Sequence, residues 1–276
     1  MGEAVSYTAL RYRVFPVDET TPTGHDHVAF TDPAPCRLRV VKEAVPEAPP
    51  VPPTSVDAAF EAWVIAPTLK DSPLAKEASG PWLENSASRH GCSPLSVRFG
   101  ELLVIWVPGR ALLVAPPAQA GPAWESLLDF TYHEGELRKI EADIRSAWPG
   151  VEQDTPLAYD AQKRDLERDA QIAQRARNVL ALRTRLARLE PHLDSTPPRF
   201  GPLAVQLAEA LREKARCEER LQYADAQIEV QESVYEMASQ RLGEFRNARS
   251  TFVTEAVIIV LLAAEVLLML WDALRH

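Results

Sequence analysis

The sequence predicts an α+β domain first, then an all-α antiparallel coiled-coil hairpin, then one C-terminal transmembrane helix. Of the 23 prolines, 17 lie before residue 125 and none lies in 203–276, and proline costs a helix interior about 3 kcal/mol. The front of the chain alternates apolar and polar residues as strands do, and 253–271 is almost wholly apolar. The predicted domains are 1–122, 123–200, 201–250 and 251–276.

Two segments of the first domain have the period of half-buried strands, namely "ALRYRVF" (Ala9–Phe15) and "CRLRVV" (Cys36–Val41). Further on, "LSVRFGELLVIWVPGRALLVAP" (Leu95–Pro116) is rich in β-formers. Pro108-Gly109 within it predicts a tight hairpin. These strands predict an antiparallel or mixed sheet.

Between the strands lies "VPEAPPVPPTS" (45–55), which has the composition of a proline-rich linker. It is followed by a segment for which we expect a short helix over Val56–Ile65, capped by a hydroxyl residue. Histidines at 25, 27 and 90 lie in polar, loop-like sequence. They lack the additional ligands that a zinc site would need.

From Trp124 the apolar period becomes helical, and "WPG" (148–150) is expected to end this helix. A second helix is predicted from Pro156 to about Leu193, and a third from Leu203 to His276. The second and third helices carry heptad repeats, which indicate two arms of an antiparallel coiled coil. The seam residues are Ile172, Val179, Leu186, Leu221, Ile228, Tyr235 and Leu242, with Leu182, Leu189, Ala224, Gln231, Ala238 and Phe245 in the companion positions.

The segment "VTEAVIIVLLAAEVLLMLW" (253–271) predicts a membrane span. Its 19 residues would rise about 28 Å as a helix, close to the hydrocarbon thickness of a bilayer. Eleven Val, Ile and Leu residues at about −0.3 to −0.6 kcal/mol each outweigh one central carboxylate at about +2.5 to +3.5. Glu255 lies near the edge of the segment, whereas Glu265 lies inside it.

Arginines flank this segment unequally. Arg241, Arg246 and Arg249 precede it and Arg275 alone follows it, a bias that places the soluble part in the cytoplasm. The sequence opens without the basic and apolar regions of a signal peptide. We therefore expect a tail-anchored, single-pass protein of the cell inner membrane, or of the mitochondrial inner membrane in a eukaryote.

Glu265 has no lysine or arginine within two helical turns. Continuing the heptad seam into the segment leaves Glu265 about 200° around the helix from the seam residue Ala263. We therefore expect Glu265 to be protonated, or to contact a polar group of a neighbouring helix. The alternative is that it reaches the nearer interface through a thinned bilayer and contacts nothing.

Composition narrows the functional classes. The chain has 276 residues and a formal net charge of −9, which argues against a protein that coats nucleic acid. Its three cysteines, Cys36, Cys92 and Cys217, lack the spacing of a zinc site and fit free thiols. No catalytic motif is present, so we expect no enzyme activity, no cofactor and no metal.

The stretch "YEMASQRLGEFRNARSTFVTEAVIIVLLAAEVLLML" (235–270) resembles the C-terminal signature of the family named for being required for meiotic nuclear division. The matching residues are Arg241, Leu242, Arg249, Glu255, Ile258, Ile259 and Glu265. Within this C-terminal signature, the family usually has an aromatic residue directly after the first acidic residue, where this chain has Ala256. A second similarity to that family lies in "VRFGELLVIW" (97–106). The resemblance implies C-terminal membrane anchoring and, for some members, support of mitochondrial translation.

The function predicted is a non-enzymatic scaffold or adaptor at the lipid bilayer, which self-associates or binds another membrane protein through the coiled coil and the membrane helix. One alternative is an enzyme that uses His25, His27 and His90. Another is an ion-conducting oligomer like the CorA magnesium channels, although their Gly-Met-Asn motif and second membrane helix are not found here.

Overall fold

The computed structural model describes residues 9–17, 27–33, 35–44, 58–71, 75–76, 78, 80–195 and 201–275. The predicted linker at 45–55 and His25 lie outside these residues. The chain forms two compact units. The first comprises Met1–Glu141 and Thr184–Ala224, and the second comprises Ala142–Arg183 and Asp225–His276.

The first unit contains a seven-stranded sheet. Its strands are β1 (Ala9–Pro16), β2 (His27–Phe30), β3 (Cys36–Ala44), β4 (Phe60–Ile65), β5 (Leu95–Phe99), β6 (Leu102–Val107) and β7 (Arg110–Val114), in the order β2-β3-β1-β4-β7-β6-β5. Only β4 and β7 pair in parallel among these strands. The predicted strands near residues 9–15, 36–41 and 95–116 are thus present in an N-terminal sheet domain.

The helix predicted over Val56–Ile65 is wrong, because Phe60–Ile65 forms strand β4. This strand lies between β1 and β7, and all six of its residues are buried. The sequence of a short apolar run does not by itself distinguish a buried strand from a buried helix segment. Its central place in the sheet requires a strand.

The hairpin predicted at Pro108-Gly109 is confirmed. These two residues join β6 to β7, whose ends pair through Val107 and Arg110. Gly109 has a φ of +80°, which glycine adopts without the steric cost that a Cβ brings. The turn places the buried strand β7 beside β4.

The described residues also form five α-helices, one between β4 and β5 and four after β7. They are α1 (Pro81–His90), α2 (Pro117–Asp154), α3 (Asp169–Asp194), α4 (Pro202–Lys214) and α5 (Cys217–Arg275), with short 3₁₀ turns at Pro67–Leu69, Thr155–Ala158 and Lys163–Arg168. The last helix, α5, is 59 residues long and ends in the apolar segment. The described residues therefore form a sheet domain followed by helices, with a long apolar helix at the C-terminal end.

The helix end predicted at Trp148–Gly150 is wrong, because α2 continues to Asp154. Proline removes one backbone hydrogen bond from a helix, but the turn beyond it is held by burial. Val151 is 1% exposed and Asp154 is fully buried. The Asp154 carboxylate accepts hydrogen bonds from Arg168 and Arg175, and this contact outweighs the local signal.

The single helix predicted over Leu203–His276 is also wrong. The chain breaks between α4 and α5, where Arg216 adopts a φ of +54°. The break contains neither glycine nor proline, so the usual helix-ending residues are missing. Burial of Leu211 before the break and of Cys217 after it supplies the tertiary reason for the change of direction.

In the second unit, three helical segments contact one another. The Trp148 indole of α2 donates to Gln227 of α5 at 2.8 Å, and Arg183 of α3 donates to Glu232 of α5 at 2.9 Å. The Gln231 amide donates to the carbonyl of Ile144 at 3.3 Å. The predicted hairpin contained only the helices that correspond to α3 and α5. In the structure, α2 also contacts α5 in this unit.

The predicted seam residues lie mostly inside these units. In the second unit Ile172, Val179, Ile228, Tyr235 and Leu242 are buried, and in the first unit Leu186 is buried and Leu221 is half-buried. This burial agrees with an inward-facing apolar stripe on each helix. Heptad packing between the helices stays a prediction.

We expect Asp154→Ala to lower the free energy of unfolding by about 3 kcal/mol, because Arg168 and Arg175 would lose a fully buried carboxylate. Glu152→Ala is the control, since Glu152 is exposed on the same helix and should cost less than about 0.5 kcal/mol. The measurement is urea unfolding of the full chain in neutral detergent. Equal unfolding midpoints for the two variants would contradict the prediction.

Candidate functional site

The apolar end of α5 is a long helix surface that the described structure leaves exposed. Its most apolar 18 residues have a mean hydropathy of 2.0, and none of them is buried. The exposed large side chains are Phe252, Val253, Val257, Ile258, Ile259, Val260, Leu261, Leu262, Val266, Leu267, Met269 and Trp271. Soluble proteins seldom expose a continuous apolar surface of this size, and this helix end is long and apolar enough to cross a membrane.

Hydroxyl groups at the start of this segment are satisfied within the helix. Thr251 donates to the carbonyl of Asn247 at 3.1 Å, and Thr254 donates to that of Ser250 at 3.0 Å. Such bonds to a carbonyl one turn earlier allow threonine to enter an apolar environment. These groups need no outside partner.

Unlike these hydroxyl groups, the two carboxylates of the segment have no hydrogen-bond partner within the described helix. Glu255 and Glu265 are exposed, and neither has a hydrogen bond or an ion pair with any residue for which side-chain contacts are described. On an ideal helix they lie about 15 Å apart along the axis and about 80° apart around it. They are therefore presented on separate faces of α5.

The three arginines before the segment have different surroundings. Arg241 donates to Glu244 at 2.9 Å, and Arg246 forms an ion pair with Asp169 of α3. Arg249 is exposed and has no ion pair within the described part of the chain. Because acidic residues have little influence on membrane orientation, these pairs leave the arginine bias of the sequence intact.

The loop histidines are not assembled into a site by the described residues. His27 begins strand β2, and His90 is the exposed last residue of α1. The described residues contain no group of three or more His, Cys, Asp or Glu that could hold a metal ion. Cys36 and Cys92 are half-buried and Cys217 is buried, all as free thiols.

A histidine pair inside the first unit was missed by the sequence reasoning. The rings of His133 on α2 and His192 on α3 stack with centroids 4.6 Å apart and planes within 8°. His133 is 2% exposed, and its Nδ1 lies 2.9 Å from the carbonyl oxygen of Asp129. The only sequence signal was the helical spacing of Asp129 and His133, which many buried histidines share.

Charged groups surround this histidine pair. Burial lowers the pKa of His192, and the nearby His133 lowers it further, while Asp32 and Asp129 oppose the shift. Asp32 in turn accepts from Arg188 at 2.8 Å, and this contact lowers the pKa of Asp32. The Nε2 atom of His133 is buried without a hydrogen-bond partner among the described residues. These effects together favour the neutral imidazole of His192.

Comparison with known proteins adds no relative. No protein-family model matches the chain, and no curated protein matches it significantly.

We expect acid to destabilise the fold through His192. Its lowered folded pKa means that the unfolded chain binds the proton more tightly, so stability is complete above the ordinary histidine value of 6.5. Stability then falls as the pH decreases from 6.5 toward the folded pKa. Unfolding midpoints in neutral detergent should show this fall for the wild-type chain.

His192→Phe should lessen that fall, because phenylalanine keeps a stacked ring and binds no proton. His90→Phe is the matched control on an exposed histidine, and it should leave the pH dependence unchanged. A wild-type pH dependence in the His192→Phe variant would contradict the assignment.

Proposed function

We propose that this protein is a membrane-anchored, non-enzymatic scaffold whose anchor is the apolar end of α5. The observation that carries the proposal is the continuous, unburied apolar surface of that helix end. Its length suits a bilayer, and its composition offsets the cost of Glu265. A segment of this kind is more stable in lipid than in water.

The scaffold itself consists of the helices before the anchor. We propose that α3 and α5 pack as an antiparallel coiled coil, supported by α2. Two ion pairs agree with this direction, since Arg183 pairs with Glu232 while the earlier Asp169 of α3 pairs with the later Arg246 of α5. Long packed helices of this kind are suited to holding a partner at a defined place rather than to catalysis.

The arginine bias supports an orientation with the sheet domain in the cytoplasm. In a bacterium the membrane would be the inner membrane. Membership in the family named for being required for meiotic nuclear division is a further proposal, which rests on the order of charges between Arg241 and Glu265. The net charge of −9 supports a protein or lipid partner over nucleic acid.

The anchor predicts a specific loss of membrane binding. Replacing Leu261 and Leu262 by arginine should cost about 6–8 kcal/mol of insertion free energy, and the double variant should leave the membrane pellet after alkaline carbonate washing. The control is the double variant Gln240→Leu and Arg241→Lys. Both residues are exposed on α5 and lie before the apolar segment. Recovery of the wild-type chain in a detergent-free high-speed supernatant would contradict the anchor.

The same membranes test the orientation. Protease added outside spheroplasts should leave the sheet domain intact and should digest it after lysis. Digestion before lysis would place that domain on the outer side.

Self-association is tested at Glu265. If its carboxyl contacts a neighbouring helix, Glu265→Leu should reduce crosslinking of the full chain in native membranes, although it makes insertion more favourable. Glu255→Leu is the matched control, because Glu255 lies near the edge of the segment on another face. Unchanged crosslinking in Glu265→Leu would show that Glu265 makes no contact needed for assembly.

A further inference from the structure

A small cavity in the first unit has cationic walls and no part in the proposed anchor. Its volume is about 230 Å³. Its walls come from the segment after α1, from β5 and β6, and from α2, α4 and the start of α5. The wall residues that matter for its chemistry are Cys92, Trp106, Arg138, Glu141, Lys214 and Arg220.

Two of the cations are fixed by carboxylates. Arg220 donates to both oxygens of Glu141 at 2.7 and 2.9 Å and to Glu134 at 2.9 Å. Glu134 is 1% exposed and also accepts from Arg138 at 2.5 Å. Burial by itself lowers the pKa of Arg220, but the contacts with Glu141 and Glu134 outweigh burial and raise that pKa above its ordinary value. Arg220 therefore stays charged, and its hydrogen bonds hold it in place.

Lys214 is the remaining cation. It is exposed and has no ion pair or hydrogen bond with another described side chain. Three cations therefore face two carboxylates, which leaves one positive charge uncompensated at this cavity. A rigid pair of arginines beside a free ammonium group is a favourable arrangement for an oxyanion.

The break between α4 and α5 forms one wall of the cavity. Lys214 ends α4, Ala215 follows it, and Arg216 adopts a φ of +54° before α5 begins. A residue other than glycine in this conformation costs about 1–2 kcal/mol. The turn lies between Lys214 and Arg220, and both residues line the same cavity.

No negative charge competes from the thiol in the wall. Burial raises the pKa of Cys92, so the thiol is neutral at physiological pH. The cavity is smaller than the roughly 300–1,000 Å³ of typical drug-sized sites. Its size suits a phosphate group with little attached to it.

We propose that this cavity binds a small phosphate-type oxyanion through Arg138, Lys214 and Arg220. The oxyanion is a free phosphate or the phosphate of a lipid headgroup, since the two present the same chemistry. Binding of free phosphate does not depend on the proposed scaffold or anchor, whereas the lipid headgroup as a source rests on the proposed anchor.

The test is isothermal titration calorimetry of the full chain in neutral detergent with sodium phosphate, at constant ionic strength and with chloride as the reference anion. Wild-type protein should bind phosphate. Lys214→Gln should weaken binding by about tenfold, as expected for the loss of one charge-assisted hydrogen bond. Lys70→Gln is the matched control, because Lys70 is an exposed lysine away from the cavity.

Lys214→Gln removes no contact with another described side chain, so its unfolding midpoint should equal that of the wild type. A weakened affinity with an unchanged midpoint supports the site. Absence of binding in the wild type, or equal affinity in Lys214→Gln and Lys70→Gln, overturns it.

Lipid nanodiscs distinguish the two sources of phosphate. The chain is reconstituted in phosphatidylcholine alone and in phosphatidylcholine with phosphatidic acid, and free phosphate is titrated into both. A weaker apparent affinity for phosphate in the phosphatidic acid discs assigns the site to the lipid headgroup, provided that Lys214→Gln removes this difference. Equal affinity in both discs assigns the site to free phosphate.

Discussion

Buried carboxylates that are each held by two arginines are the contacts on which the helical part of this protein depends. Both lie on α2. In the first unit Glu134 accepts from Arg138 and Arg220, and in the second unit Asp154 accepts from Arg168 and Arg175. A buried carboxylate without such partners would cost several kcal/mol. Each pair of arginines therefore selects one way of packing the surrounding segments.

This dependence explains two departures from local helix rules. Helix α2 passes through Pro149-Gly150 because the turn beyond them carries a buried acid that needs its arginines. The chain bends at Arg216, and the start of α5 then brings Arg220 to Glu134 and Glu141. In both places the gain from satisfying a buried charge exceeds the cost of an irregular backbone.

The pairing of carboxylates with arginines also distinguishes the cavity of the first unit from the apolar end of α5. In the first unit the acids already have arginine partners, and an unpaired lysine leaves a positive site that suits an anion. At the end of α5 the opposite holds, because Glu255 and Glu265 have no described partner and the exposed large side chains described around them are apolar. Such a segment is long and apolar enough to cross a membrane, and in the membrane that we propose for it a carboxyl group such as that of Glu265 would be protonated or would contact a neighbouring helix.

The sequence by itself was sufficient for features that a short window of residues determines. Alternation predicted the strands near β1 and β3, β-rich composition predicted those near β5 to β7, and Pro108-Gly109 predicted the hairpin between β6 and β7. Apolar composition predicted the unburied end of α5, including Glu265 within it. These features follow from backbone restrictions and side-chain periods, which act between near neighbours.

Only the tertiary structure decided that Phe60–Ile65 is a strand, that the chain bends at Arg216, and that His133 stacks on His192. The cavity beside Lys214 belongs to the same class. Its arginine contact between Glu134 and Arg220 joins residues 86 positions apart. No local pattern encodes such a contact, because its energy arises only when the whole fold removes water from both charges.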